Sequence, residues 1–499
     1  MTGNLKYPSP SYKNKAEKII QNLYKQTKKQ TGFNYYQFND KFTDDCPDLS
    51  ALVKSQIPFD KFKLSAGTSD CLAFRDYLDQ IISDLKKNRY YRSYNCPLGN
   101  TEARQTLALM ENSKFKDKPI YNYQDFALTE GSTGAISQVF EFIKNKNPQA
   151  EVIIATPTYY LYKYLAGFYS LAYQEAFQIK PLKNGLTSFN ALSDILAKIN
   201  PKTRLITLVQ PSNPSSQIYS PEQLEKLIQI CQKKKILLLV DELFSELIYN
   251  QPPAPTDLIA RKLNALNNIV IVKGYSKSKN LAGFRIGYLF SKNKELLKSI
   301  EKISEGRQCF AAASCFTGVI ALDSFIQTIK TKLISTENLN RTFKTTKKAF
   351  SNFSPTIANL SIKKLKDTYR GYSAYNRRIK NYYSQMYDRA IRILKKDLIT
   401  RTPKISAFNT FIKIRGLEKI NQFDFCLNLY LCTNLVTQIG PCFAFDQKRW
   451  QTDPELGFWL RLSYSRDKEE YAQGLKLFLK FKKLYLANPN KFLKTNLTF

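Results

Sequence analysis

Histidine is absent from all 499 residues. That absence removes the side chain whose unperturbed charge changes near neutral pH, and with it every nucleophile triad, general acid or metal site built on imidazole. Proton transfer must use lysine, tyrosine, cysteine, aspartate or glutamate. Cysteine is sparse and scattered: Cys46, Cys71, Cys96, Cys231, Cys309, Cys315, Cys426, Cys432 and Cys442, an odd number with no C-x-x-C pair. Neither a disulfide framework nor a Cys/His zinc site is expected, and a reducing, cytoplasmic compartment suits this usage. No run of about 18 apolar residues occurs, so no membrane-spanning helix and no membrane partner is expected. Residues Met1 to Gln30 are polar and lysine-rich and lack the apolar centre of a secretory signal.

Acidic residues are also few. Forty-one Asp and Glu face 76 Lys and Arg, a formal charge of 76 − 41 = +35. Such an excess invites a nucleic-acid reading. The charge is dispersed, however, and no nucleic-acid module with readable spacing accompanies it. A solvated basic surface is the expectation, with nucleic acid not a partner.

What is present is a globular composition, 43% hydrophobic, long enough for two or more domains. Between Asp125 and Phe290 short apolar runs alternate with amphipathic stretches. The runs are Glu151–Ala155, Arg204–Val209, Ile236–Val240, Ile269–Lys273 and Ile286–Phe290. The helical stretches are Ala135–Lys144, Thr158–Ser170, Phe189–Ile199 and Pro221–Lys233. This alternation predicts an α/β fold with a largely parallel sheet between helical layers. Ser220-Pro221-Glu222-Gln223 marks a helix start, with a capping Ser, Pro at the first helical position and Gln three after the cap.

Residues 1–60 read as an N-terminal arm and connector, with a helix near Tyr12–Thr27, and 61–310 as the large domain. Residues 311–499 read as a smaller α+β domain: basic helical sequence to about Lys396, strands near Phe408–Ile414 and Leu460–Tyr464, and a helix over Asp467–Leu484. Residues 325–370, low in Gly and rich in Lys, Thr and Asn, read as a basic insertion or mobile subregion.

The stretch with the most chemistry is Gly274-Tyr275-Ser276-Lys277-Ser278-Lys279, followed by Gly283 and Arg285, directly after an apolar run. It resembles the lysine signature of the fold-type I, class I/II aminotransferases, which depend on pyridoxal 5'-phosphate: S-x-S-K, then Gly, then Arg eight residues after the Lys. That spacing selects Lys277 over Lys279. The resemblance implies that Lys277 carries the cofactor as a Schiff base, with Ser276 and Arg285 beside the phosphate.

Further blocks occur in the family's order. Thr129-Glu130-Gly131-Ser132-Thr133-Gly134 precedes a helix, where backbone N–H groups and small residues suit an anion. The resemblance places the cofactor phosphate on Gly131, Ser132 and Thr133. Pro157-Thr158-Tyr159 is similar to a block whose aromatic residue, here Tyr159, stacks on the pyridine ring. Gln210-Pro211-Ser212-Asn213-Pro214 is similar to an N-P-x-G loop, in which Asn213 donates to the phenolic oxygen and contacts substrate. Asp241 ends an apolar run, at the carboxyl end where such sheets bind ligands. In the family this Asp pairs with the ring nitrogen and keeps the ring cationic. Arg461, in Trp459-Leu460-Arg461-Leu462-Ser463, matches the strand Arg that binds the substrate α-carboxylate. Gly67 matches an early Gly facing the same carboxylate. Tyr94, in Tyr94-Asn95-Cys96-Pro97-Leu98-Gly99, matches a Tyr that reaches the neighbouring subunit's phosphate, which implies a homodimer.

Three positions depart from the family pattern. Gly274 stands for a phosphate-binding Ser, Ser216 for a Gly, and Phe244 for a Tyr that bonds the phenolic oxygen. The reaction implied is amino transfer from an amino acid to a 2-oxo acid, with Lys277, Asp241 and Tyr159 as its catalytic residues and no metal. Two alternatives stay open: a lyase or decarboxylase on the same scaffold, and a basic binding protein with a weakened site.

Overall fold

The computed structural model describes residues 5–29, 35–57, 60–92, 94–115, 117–249, 255–307, 311–334, 338–444, 446, 449–450, 453, 456–495 and 497. The strands in chain order are β1 Phe62–Lys63, β2 Phe126–Glu130, β3 Glu151–Ala155, β4 Ala172–Ala176, β5 Ile179–Leu182, β6 Leu186–Phe189, β7 Thr203–Val209, β8 Leu237–Asp241, β9 Ile269–Gly274, β10 Ile286–Phe290, β11 Leu398–Arg401, β12 Asn409–Ile414, β13 Leu435–Val436, β14 Gln438–Ile439 and β15 Trp459–Ser463.

Seven of them form one sheet in the order β2-β10-β9-β8-β7-β3-β4. Neighbours are parallel except at β10, which runs antiparallel to both β2 and β9. The buried strands show why this sheet is covered on both faces. Along β8, Leu237 and Leu239 join one apolar layer while Leu238 and Val240 join the other. Successive side chains of a strand point to opposite faces, so a continuous apolar run needs a cover on each side. The helix Gly131–Lys146 supplies Ile136, Val139 and Phe140 to the first layer; Pro221–Lys234 supplies Leu224, Leu227 and Ile228 to the second. The latter helix starts with the expected capping box: the Gln223 amide donates to Ser220 Oγ at 3.3 Å and the Ser220 amide to Gln223 Oε1 at 2.9 Å.

A second sheet has the order β14-β15-β12-β11-β6-β5. Its β5–β6 hairpin comes from inside the stretch 61–310 and pairs through Leu186 with Arg401 of β11, so the two halves of the chain share this sheet. Phe189 ends β6, and the helix expected over Phe189–Ile199 is confined to Leu192–Lys198. Likewise the helix expected over Thr158–Ser170 spans Leu161–Phe168, because Pro157 to Tyr160 form the loop that leaves β3.

The first 60 residues are more than an arm. Helices α1 (Pro10–Thr27) and α2 (Tyr35–Asp44), with Pro47–Gln56, pack on the C-terminal half of the chain. Tyr12 donates its hydroxyl to the Leu431 carbonyl at 2.7 Å, and Phe38 and Phe42 lie 5.7 and 6.0 Å from the Phe423 ring. The described residues of the basic stretch 325–370 fall mainly on the helices Thr317–Lys332, Leu339–Ser351, Pro355–Asn359 and Ile362–Leu394. The last has 33 residues and buries Leu365, Tyr372, Tyr375, Ile379, Tyr383 and Met386 along one stripe, the spacing of an amphipathic helix. The segment Ala312–Lys332 has the length and hydropathy of a membrane span, and 78% of its most apolar window is buried inside the molecule, as for a core helix.

Candidate active site

The carboxyl ends of the parallel strands open into a cavity of about 620 Å³. Ser132, Thr133, Tyr159, Asn213, Asp241, Ser276, Lys277, Arg285, Arg461 and Gly67 all line it. These residues lie up to 394 positions apart (461 − 67) and converge because the strand ends and the second sheet meet there.

Asp241 closes β8 and is 7% exposed. Tyr162 donates its hydroxyl to one carboxylate oxygen at 3.0 Å and the Leu243 amide donates to the other at 3.0 Å. Burial raises the carboxyl to about 6, against the pull of those two hydrogen bonds. Lys277 Nζ donates to the Gly67 carbonyl at 2.7 Å. Burial pulls its ammonium down to about 8; Arg461 and Arg285 add to the effect and Asp241 opposes it. A lysine poised this way reaches its neutral, nucleophilic form near physiological pH.

On the far side of Lys277 the phosphate-type cradle is built from backbone. Gly131 has φ +67°, a left-handed conformation that favours glycine, and begins the helix Gly131–Lys146. Its amide donates to the Arg285 carbonyl at 2.8 Å. The Arg285 guanidinium donates to the Glu130 and Ala282 carbonyls, both at 3.3 Å, and has no carboxylate partner among the described residues. A Cβ on Gly131 would stand 2.8 Å from that guanidinium, and one on Gly287 would stand 2.3 Å from the Gly131 carbonyl carbon. Strand β10 therefore packs directly behind the loop that starts the helix.

Arg461 lies on β15 and is 2% exposed. It donates to the Ser65 carbonyl at 2.6 Å, to Ser65 Oγ at 3.2 Å, to Asn213 Oδ1 at 2.9 Å and to Gln438 Oε1. Its charge lies 4.9 Å from the Phe443 ring centre. These neutral acceptors hold four of the five guanidinium N–H groups without neutralising the charge.

Tyr94 is apart from this group. It is 85% exposed and does not line the chain's own cavity. The three departures have local explanations. Ser216 adopts φ +60°, the conformation that accounts for a family Gly, and its hydroxyl is buried against Ser406. Phe244 lines the cavity as an apolar wall, 5.8 Å from the Phe408 ring. Gly274 lines a neighbouring cavity instead, where a Cβ would come within 3.3 Å of Leu243.

Several residues of the site carry no motif in the sequence: Tyr162, buried behind the cavity on Asp241, and the lining residues Ser65, Gln438, Tyr36, Asp40 and Lys63. Tyr162, three residues after Tyr159 on the first turn of its helix, was within reach of a helical reading. Tyr36 and Asp40 carried no such signal; only the packing of α2 brings them here. Tyr36 stacks on Tyr160 at 4.0 Å and meets Tyr159 edge-on at 6.2 Å.

Comparison with known proteins places the chain by family and fold. The chain is 29% identical over 240 residues to an aspartate aminotransferase of Sulfurisphaera tokodaii, across 47% of this chain and 56% of that protein. It is 26% identical over 284 residues to an aspartate aminotransferase of Thermotoga maritima, across 55% of this chain and 70% of that one. In the first case the matched region is just over half the relative's length. Among solved structures, the Thermus thermophilus aspartate aminotransferase with maleate superposes with a TM-score of 0.64 at 17% identity, covering 96% of this chain and 100% of that chain. The N-succinyldiaminopimelate aminotransferase of Mycobacterium tuberculosis gives 0.66 at 13% identity, covering 92% and 99%. These likenesses show the fold, that of the fold-type I aminotransferases. The family model described as aminotransferase class I and II matches residues 60–353, and with that match the chain belongs to the class I and II aminotransferase family.

Proposed function

We propose that this chain is a pyridoxal 5'-phosphate-dependent aminotransferase that moves an amino group between an amino acid and a 2-oxo acid. The observation that carries the reading is the convergence of Lys277, Asp241 and Arg461 on one cavity. The donor set fits the cofactor: a guanidinium with no carboxylate partner among the described residues, at a glycine-built helix start, for the phosphate, a buried carboxylate for a ring nitrogen, and a lysine with a lowered pKa.

When bound, pyridoxal phosphate supplies the carbonyl that accepts the amino group and a cationic ring that takes up the electrons released at the substrate Cα. Lys277 Nζ would be the attachment point, and the same amine, when free, would be the base for the substrate Cα proton. Asp241, oriented by Tyr162, holds the proton on the ring nitrogen. Tyr159 provides the stacking face. Arg285, Ser132 and Thr133 would hold the phosphate, while Gly131, its amide spent on the Arg285 carbonyl, shapes the turn that lets it approach. Asn213 spends its carbonyl oxygen on Arg461, which leaves its NH2 as the donor to the phenolic oxygen. Arg461 turns its charge and its one remaining N–H to the substrate α-carboxylate. Phe244 adds no hydrogen bond, so Asn213 alone of these two positions serves that oxygen. Tyr94 completes a partner's phosphate site in a homodimer, and the few, scattered cysteines suit a cytoplasmic setting.

The test is a visible spectrum of the protein with pyridoxal phosphate, taken before and after each common amino acid. A yellow band that bleaches with an amino acid and returns with a 2-oxo acid is the expected result. Release of ammonia or carbon dioxide with no oxo-acid requirement would show the lyase or decarboxylase chemistry instead. A band that never forms would overturn the reading.

A further inference from the structure

Helix α2 has two working faces. Phe38 and Phe42 bind it to Phe423 and the C-terminal half of the molecule. Tyr36, Asp40 and Asp44, at i, i+4 and i+8, line the active-site cavity. An acidic face over a pocket for an amino acid bears on which side chains it admits.

Most charges around the cavity already have partners or assigned work. Asp44 is bridged by Lys61 at 2.5 Å and Lys63 at 2.6 Å. Arg466 pairs with Asp70. On the reading proposed above, Asp241, Lys277 and Arg285 serve the cofactor. Two charges remain: Arg461, for the substrate α-carboxylate, and Asp40. Among the described residues the Asp40 carboxylate has no cation within ion-pair distance, and its nearest bonding partner is the Tyr36 hydroxyl. Arg461 and Lys63 act on it only across space. Burial and the neighbouring Asp44 push its carboxyl up to about 6, the behaviour of an acid that lacks a close counter-charge.

We infer that Asp40 is a specificity-determining residue and that the amino donor is an α-amino acid with a second, cationic group on its side chain. This rests on the aminotransferase reading. Arg461 takes the carboxylate end, and Asp40, on the helix laid across the same cavity, takes the distal ammonium or guanidinium. The same carboxylate repels a second carboxylate. Lys63 and Arg466, the two remaining cations that could attract one, are engaged by Asp44, which Lys63 shares with Lys61, and by Asp70. Dicarboxylic amino acids are thereby disfavoured, although the relatives that share this fold include aspartate aminotransferases.

The experiment is a set of single-turnover spectral titrations of the pyridoxal phosphate-loaded protein with ornithine, lysine, norleucine, aspartate and glutamate. For the wild type, ornithine or lysine should saturate at concentrations at least about tenfold below norleucine, with aspartate and glutamate weakest. In Asp40→Asn, a near-isosteric change, the ratio of cationic to neutral preference should fall by about tenfold or more, read in the apparent dissociation constants rather than in the limiting rates. A structural role for Asp40 would lower all substrates together and leave the ratio unmoved. Tightest saturation by aspartate or glutamate, or an unchanged ratio in Asp40→Asn, would overturn the inference and leave the aminotransferase reading intact. A loaded protein that responds to none of the five would overturn the inference, while the aminotransferase reading stands or falls with the full set of common amino acids.

Discussion

Lys277 and Lys279, two residues apart in one loop, serve opposite environments. Lys277 lines the active-site cavity, with its ammonium on the Gly67 carbonyl. Lys279 is fully buried on the other side, between Glu246 at 2.6 Å and Asp323 at 2.7 Å, and it donates to the Tyr372 hydroxyl at 2.8 Å. One lysine is free to react; the other ties the loop to the long helix Ile362–Leu394, which carries Tyr372. The two should therefore separate cleanly under mutation.

Lys279→Met leaves Glu246 and Asp323 buried without their cation. It should cost about 3–5 kcal/mol of stability, measured by urea unfolding. Lys277→Ala removes a cation that burial already disfavours, so the fold should be retained. Its amino-exchange rate should fall by about 10²- to 10⁴-fold. A Lys277→Ala protein that exchanges at the wild-type rate would reverse the assignment.

The pH dependence of apoprotein stability should carry the mark of two groups. Asp241 titrates near 6 when folded, above its ordinary 3.8. The folded chain thus holds a proton that the unfolded chain has lost between those values. The contribution is complete below pH 4 and is lost as pH rises through 6, a span worth about 3 kcal/mol. Lys277 titrates near 8, below its ordinary 10.5. There the unfolded chain binds the extra proton, so stability rises from pH 8 toward 10.5. Thermal melts across pH should show the acid limb flattened in Asp241→Asn and the alkaline limb flattened in Lys277→Ala.

Gly287→Ala tests the cradle without touching a charged group. The added methyl would stand 2.3 Å from the Gly131 carbonyl carbon, so β10 or the helix start must shift. The expected cost is about 1–3 kcal/mol in denaturant unfolding. The displaced loop should also weaken cofactor binding, measured by fluorescence titration.

Arg461→Lys keeps the charge and loses the fork. Ser65, Asn213 and Gln438 would keep acceptors aimed at one ammonium in place of a planar guanidinium. Catalytic efficiency should fall by about 10²-fold or more through weakened carboxylate binding. Stopped-flow half-reactions with a saturable amino acid would register it as a raised apparent dissociation constant.

The sequence by itself determined the sheet-and-helix alternation and most of the cavity. The apolar runs Glu151–Ala155 and Ile286–Phe290 are strands with the same bounds, because a strand covered on both faces must be apolar without interruption. The residues picked from Lys277 to Arg461 converge because strand ends carry the chemistry in such sheets. Edge strands were not legible: β4 and β5 bury only Ala176 fully and show little apolar alternation. The helix Gln422–Thr433 was missed for the opposite reason, since it is buried all round and has no polar face to set a period. What only the tertiary structure decided is the placing of α2. Its Asp40 is separated from Arg461 by 421 residues (461 − 40), and nothing in its local sequence points to a site. It reaches the cavity because Phe38 and Phe42 are drawn into the apolar surface around Phe423, which turns the opposite, acidic face of the helix toward the pocket.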